Sequence, residues 1–141
     1  MPTTTQLVIT EQSKPGALAR MASVLGRAGV DIKAFSAPEV ARAGSPRTGA
    51  LRMIVADLER ARIALKTEKI RFREETALVI ALEKKPGSLG VVAEYLKEAR
   101  INIVCGYYTP SREGGKAIVI LTVSNTKKAM EILREESLDV F

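Results

Sequence analysis

The sequence predicts an α+β protein in which one β-α-β-β-α-β unit, an antiparallel sheet with its helices on one face, occurs twice. Two observations lead there: an internal repeat, and the same alternation of strand and helix signals within each copy. Displaced by 71 residues, the stretch 7–32 falls on 78–103, and 11 of its 26 positions are identical: Leu7, Val8, Ile9, Lys14, Pro15, Gly16, Leu18, Ala22, Leu25, Ala28 and Ile32. The matching resumes at a displacement of 68, where Met53, Val55, Asp57, Ala61 and Leu65 meet Leu121, Val123, Asn125, Ala129 and Leu133. The first copy therefore holds about three extra residues, in the Pro-, Gly- and Arg-rich stretch 38–49, which reads as a loop. Residues 1–73 and 74–141 are the expected domains.

Each element follows from local chemistry. Residues 7–10 and 78–81 are short apolar runs bounded by polar ones, as strands require. Lys14-Pro15-Gly16 and Lys85-Pro86-Gly87 stop them. A residue before proline is pushed away from helical angles, whereas proline suits the start of a helix. Leu18, Met21, Ala22 and Leu25, mirrored by Leu89, Val92, Ala93 and Leu96, have the i, i+3, i+4, i+7 spacing of one buried helix face. Residues 30–37 and 101–108 read as second strands, and 51–56 and 117–123 as third strands. Asp57 and Asn125 are the expected N-caps of second helices that bury Ala61, Ala64 and Leu65, or Ala129, Ile132 and Leu133. Residues 70–72 and 138–141 would close each sheet as a fourth strand. This order is the split βαβ, or ferredoxin-like, arrangement. A copy of about 70 residues has a marginal core alone, so burial between copies or between chains is expected.

Composition narrows the function. The 141 residues are 46% apolar and 27% charged, ordinary globular material. There is no histidine, which excludes histidine-based triads, metal sites and general bases. Cys105 is the single cysteine, so neither an internal disulfide nor a cysteine-rich zinc site is available; it reads as a small buried residue. No signal peptide or membrane span is legible, and a cytoplasmic location is expected. The net charge of +6 is uneven: residues 1–73 hold 13 Lys and Arg against 6 Asp and Glu, and residues 74–141 hold 9 against 10.

The strand, the Pro-Gly-x-Leu turn, the amphipathic helix and the Asp31-Ile32 or Asn102-Ile103 that follows it resemble the ACT domain, here in two tandem copies covering nearly the whole chain. ACT domains are small ferredoxin-like modules that bind amino acids and regulate enzymes of amino-acid metabolism. The resemblance implies a regulatory protein, not an enzyme, with an amino acid or related metabolite held where these loops meet a neighbouring ACT unit. It implies no cofactor and no metal. It places Glu11, Ser13, Gly16, Ala17, Leu18, Asp31 and Ile32 at one site and Lys84, Gly87, Ser88, Leu89, Asn102 and Ile103 at the other. A homodimer and an enzyme or regulator as partner are expected.

The chemistry of these residues suits an amino acid independently. Backbone N–H groups of Gly16, Ala17 and Leu18, or Gly87, Ser88 and Leu89, open a helix where unpaired donors and the dipole favour a carboxylate. Glycine allows close approach to the backbone. Asp31, or the carbonyl oxygen of Asn102, is suited to accept from an ammonium. The copies differ, because Glu11 and Ser13 are replaced by Leu82 and Lys84, so either two sites differ in ligand or affinity or one of them is vestigial. The same residues have a plain structural reading: the turn needs its glycine with or without ligand, and Leu18, Leu89, Ile32 and Ile103 suit a core. Tyr107 and Tyr108 suit packing at an edge or interface, and Arg42 and Arg47 suit a solvated loop.

Two rival functions meet specific objections. RNA-binding ferredoxin-like modules stack bases on aromatics of the central strands, and 51–56 and 117–123 contain none. The tyrosine pair also lies in the half without excess positive charge. For an enzyme, no phosphate-binding loop, dinucleotide glycine pattern, paired-cysteine motif or Gly-x-Ser-x-Gly is present. A third reading keeps the fold and replaces the ligand with a docked protein partner.

Overall fold

The computed structural model describes residues 3–12, 16–37, 48–110 and 116–135. Its elements in chain order are β1 (Thr3–Gln12), α1 (Ala17–Arg27), β2 (Ile32–Ser36), β3 (Thr48–Val55), α2 (Leu58–Thr67), β4 (Arg73–Glu83), α3 (Ser88–Glu98), β5 (Ile103–Pro110), β6 (Lys116–Val123) and α4 (Thr126–Glu135). The backbone packs as two units, residues 5–75 and residues 76–141 together with 1–4. The cut expected between residues 73 and 74 falls inside β4.

Within each unit the same antiparallel pairing recurs. In the first copy β1 pairs β3 with Leu7 opposite Met53, and β3 pairs β2. In the second, β4 pairs β6 with Leu78 opposite Leu121, and β6 pairs β5. Even the irregularity is duplicated: a bulge lies between Ile32 and Ala34, and another between Ile103 and Cys105.

One face of each set of strands packs on its two helices. Leu7, Ile9, Leu51 and Met53 meet Met21, Leu25, Ala61 and Leu65 in the first core; Leu78, Ile80, Val119 and Leu121 meet Val92, Leu96, Ala129 and Leu133 in the second. The cap expectations hold at both second helices: Asp57 Oδ1 accepts from the Arg60 N–H at 3.0 Å, and Asn125 Oδ1 accepts from the Lys128 N–H at 3.1 Å.

Three helices end in one motif. After α1, α2 and α3 a residue with positive φ (Gly29 75°, Lys69 56°, Arg100 58°) turns the chain. The next N–H, of Val30, Ile70 or Ile101, donates to the carbonyl five residues back, on Leu25, Leu65 or Leu96, at 2.9 Å each. All three apolar residues are buried.

This motif explains two departures from the expected boundaries. The second strands start at Ile32 and Ile103, not at residues 30 and 101, because Val30 and Ile101 spend their N–H groups closing the helix. For the same reason residues 70–72 do not form a closing strand: Ile70 caps α2, and the next strand begins at Arg73. On α1 the buried face is Met21, Val24 and Leu25, while Ala22 is exposed. On α3, Val92 and Leu96 are buried and Ala93 only half-buried. The first strand of each copy is longer than expected, and β3 already begins at Thr48, inside the stretch expected to be loop. The rest of that loop, with Arg42 and Arg47, and the proposed strand at 138–141 lie outside the described residues.

Candidate functional site

Beside the helices, the loop between β4 and α3 opens onto a cleft of about 460 Å³ lined by Leu82, Glu83, Lys84, Lys85, Pro86, Gly87, Ser88, Leu89, Gly90 and Tyr108. Four residues expected at the second site, Lys84, Gly87, Ser88 and Leu89, are therefore brought together.

The cleft is built from the backbone outward. Gly87 is the N-cap of α3 with φ 91°, and Gly16 is its counterpart on α1 with φ 95°. A Cβ on either would meet no atom within 4 Å, so the left-handed angle, not crowding, selects glycine. The space in front of each is open. The first helical bond of α3 runs from the Val91 N–H to the Gly87 carbonyl at 3.1 Å, so the N–H groups of Leu89 and Gly90 lie ahead of the helix ladder. The Ser88 N–H reaches the Lys85 carbonyl at 3.4 Å. The Ser88 Oγ is shut off from solvent and has no hydrogen-bond partner, and such an orphaned hydroxyl is rare in a folded protein. Glu83 and Lys85 pair with each other at 3.0 Å on the exposed rim.

Two side chains depart from a core reading. Leu89 is 46% exposed and stands at the wall of the cleft, and Ile103 is also exposed. Their counterparts Leu18 and Ile32 are partly buried against the first core, as expected. Cys105 is half-buried. Tyr108, read from sequence as an edge or interface residue, is 56% exposed and lines the cleft. It lies opposite Val119 on the helix side of the strands.

Asp31 and Asn102 do not join these loops within their own copies. Each follows a helix whose other end carries the glycine, and an 11-residue helix is about 16 Å long. Their backbone carbonyls accept from the N–H groups of Ala56 and Ser124, both at 2.9 Å, and Ser124 Oγ also accepts from the Asn102 N–H. Of the first site, Gly16, Ala17 and Leu18 open α1, and the Glu11 backbone lies in β1 opposite Gly49. Ser13 lies outside the described residues.

The other face of the first copy carries a polar cluster that sequence inspection did not single out. Glu75 accepts from Arg52 Nε at 2.9 Å, from Gln6 Nε2 at 3.2 Å and from Arg73 Nη1 at 2.7 Å. Gln6 is fully buried, and the Arg52 and Glu75 side chains are 11% and 18% exposed. Burial pushes the Glu75 carboxyl up, but the hydrogen bonds from Arg52 and Arg73 outweigh it and hold it below its usual range. By the repeat displacement, Gln6 and Arg52 become Ala77 and Ile120, so the second copy has no such cluster.

Set beside known proteins, residues 2–141 match the family model of the ACT domain pair. The chain belongs to that family. Among solved structures it is similar to protein BT0572 from Bacteroides thetaiotaomicron, with a TM-score of 0.85 and 27% identity, covering 99% of this chain and 92% of that one. It is also similar in fold to the regulatory subunit of aspartate kinase from Thermus flavus, with a TM-score of 0.58 and 15% identity over 95% and 94% of the two chains. The ligand-free regulatory subunit of aspartate kinase from Thermus thermophilus has a TM-score of 0.57 at 13% identity, over 93% and 90%. No curated protein is similar enough to count as a relative. This ACT pair thus shares its fold with the regulatory subunits of aspartate kinase. Among the described residues no helix is long and apolar enough to cross a membrane.

Proposed function

We propose that this ACT pair is a regulatory protein that binds an amino acid at the β4–α3 loop and passes the binding state to an enzyme or regulator of amino-acid metabolism. The observation that carries this reading is the cleft itself, in which exposed apolar walls adjoin unpaired N–H donors and an orphaned hydroxyl at the start of α3. A free amino acid has a carboxylate for the N–H groups of Leu89 and Gly90. Its side chain would lie against Leu89 and Tyr108. Rotation about the Ser88 side-chain bond between staggered positions would turn its hydroxyl toward the ligand. The aspartate kinase regulatory subunits, similar in fold, lend the partner class. The protein is placed in the cytoplasm and assigned no catalytic role on the same reading.

The test is thermal unfolding of the full chain against the twenty amino acids. Ligand at 100 times its Kd adds about 2.7 kcal/mol to apparent stability. No shift with any of them at millimolar concentration would sink the sensor reading.

A second reading, protein docking, has its own observation. β5 lies at the end of the strand order β4-β6-β5 and exposes Ile103, Val104 and Tyr108, with Leu89 and Val91 exposed on α3 of the same unit. An apolar edge strand is a template for another chain. A homodimer joined along β5 would cover it. Sedimentation equilibrium separates a dimer from a monomer directly, and Val104→Lys should dissociate the dimer.

A further inference from the structure

We infer that the cleft of the second copy selects an amino acid with a large apolar side chain, and that the first copy has no equivalent site. This rests on the reading of the cleft as an amino-acid site and adds the ligand class and the stoichiometry. Leu82 is buried behind the cleft, while Leu89 and Tyr108 present apolar surface to water on its sides. A ligand side chain laid between them removes that surface from solvent. Each buried methylene tightens binding by about fourfold. Glu83, the one carboxylate among the lining residues, is already paired with Lys85, so a basic side chain meets no free partner.

The first copy lacks these parts. At the repeat displacement of 71, Ala17 stands in place of Ser88, Ala37 in place of Tyr108, and Glu11 in place of Leu82. Leu18, in place of Leu89, packs against the first core. The first copy's exposed aromatic, Phe35, lies two residues earlier, opposite Met53, where the second copy has Gly106. The aromatic and the small residue have exchanged places on one face of the strand.

Isothermal titration of the full chain with the twenty amino acids tests this. Leucine or phenylalanine should bind at one per chain and at least about tenfold tighter than alanine. Tyr108→Ala should shrink that preference to less than about threefold, while Tyr108→Phe keeps it, since the ring and not the hydroxyl forms the wall. A small or acidic amino acid binding tightest, two ligands per chain, or an unchanged preference in Tyr108→Ala would each overturn the inference while leaving the amino-acid site standing. Absence of binding by all twenty would remove both together.

Discussion

Gly106 lies directly opposite Leu121 across the β5–β6 pair, and a Cβ built on it would stand 2.7 Å from Leu121 Cδ2. Leu121 is part of the second core, so the edge strand gives up a side chain to leave it room. Gly106→Ala is expected to destabilise the protein by about 1–2 kcal/mol, because the methyl must displace a packed side chain. Urea denaturation measures the loss. Trimming the neighbour in Leu121→Val should relieve part of the clash, and a double-mutant cycle should therefore show coupling between the two sites.

The positive-φ residues after α2 and α3 make the opposite prediction. Lys69 and Arg100 hold left-handed angles that carry a penalty for any residue with a Cβ, whereas α1 uses Gly29 at the same place. Arg100→Gly should stabilise by about 1 kcal/mol, raising Tm by about 3–5 °C. Gly29→Ala should destabilise by a similar amount. Scanning calorimetry of the two variants checks both signs.

Glu75 predicts an acid-sensitive first copy. Its carboxyl is held below its usual value of 4.5, so the stability it contributes is complete above that value and is lost as the pH falls through the lower folded one. Glu75→Gln should cost about 1–3 kcal/mol at neutral pH, since a mostly buried ion pair with Arg52 is exchanged for a neutral contact. The variant should also show a flatter decline of stability below pH 4.5, which chemical denaturation across that range would reveal.

Ser88 separates binding from folding. Its hydroxyl has no partner, so Ser88→Ala should leave stability unchanged or slightly raised. The same change should weaken amino-acid binding by about tenfold, the value of one lost hydrogen bond. Substitution of Gly87 gives no such separation, because its φ of 91° strains any other residue with or without ligand. Equal ligand affinity in Ser88→Ala would remove that hydroxyl from the site.

Much of this architecture was legible in the sequence because repetition amplified weak signals. Lys-Pro-Gly marked both helix starts, Asp57 and Asn125 marked both second caps, and the apolar runs at 7–10 and 78–81 marked the strands that carry Leu7, Ile9, Leu78 and Ile80 into the cores. Boundaries were lost where the chain does two jobs at once: Val30, Ile70 and Ile101 look like strand residues, yet their N–H groups complete the preceding helices. Tyr108 was missed as a cleft residue for a related reason. Counting by twos from Ile103 puts Tyr107 on the helix side, but the bulge before Cys105 reverses the alternation and turns Tyr108 there instead. Asp31 and Asn102 are close in sequence to the candidate loops, but a helix length separates them from Gly16 and Gly87.

The shared register also has a consequence for descent. Since Leu7 faces Met53 as Leu78 faces Leu121, segments of one half can replace those of the other without shifting a single strand partner. A crossover that gives the first half the second half's turn and tyrosine would carry the lining residues of the cleft with it, in one step and without a new fold.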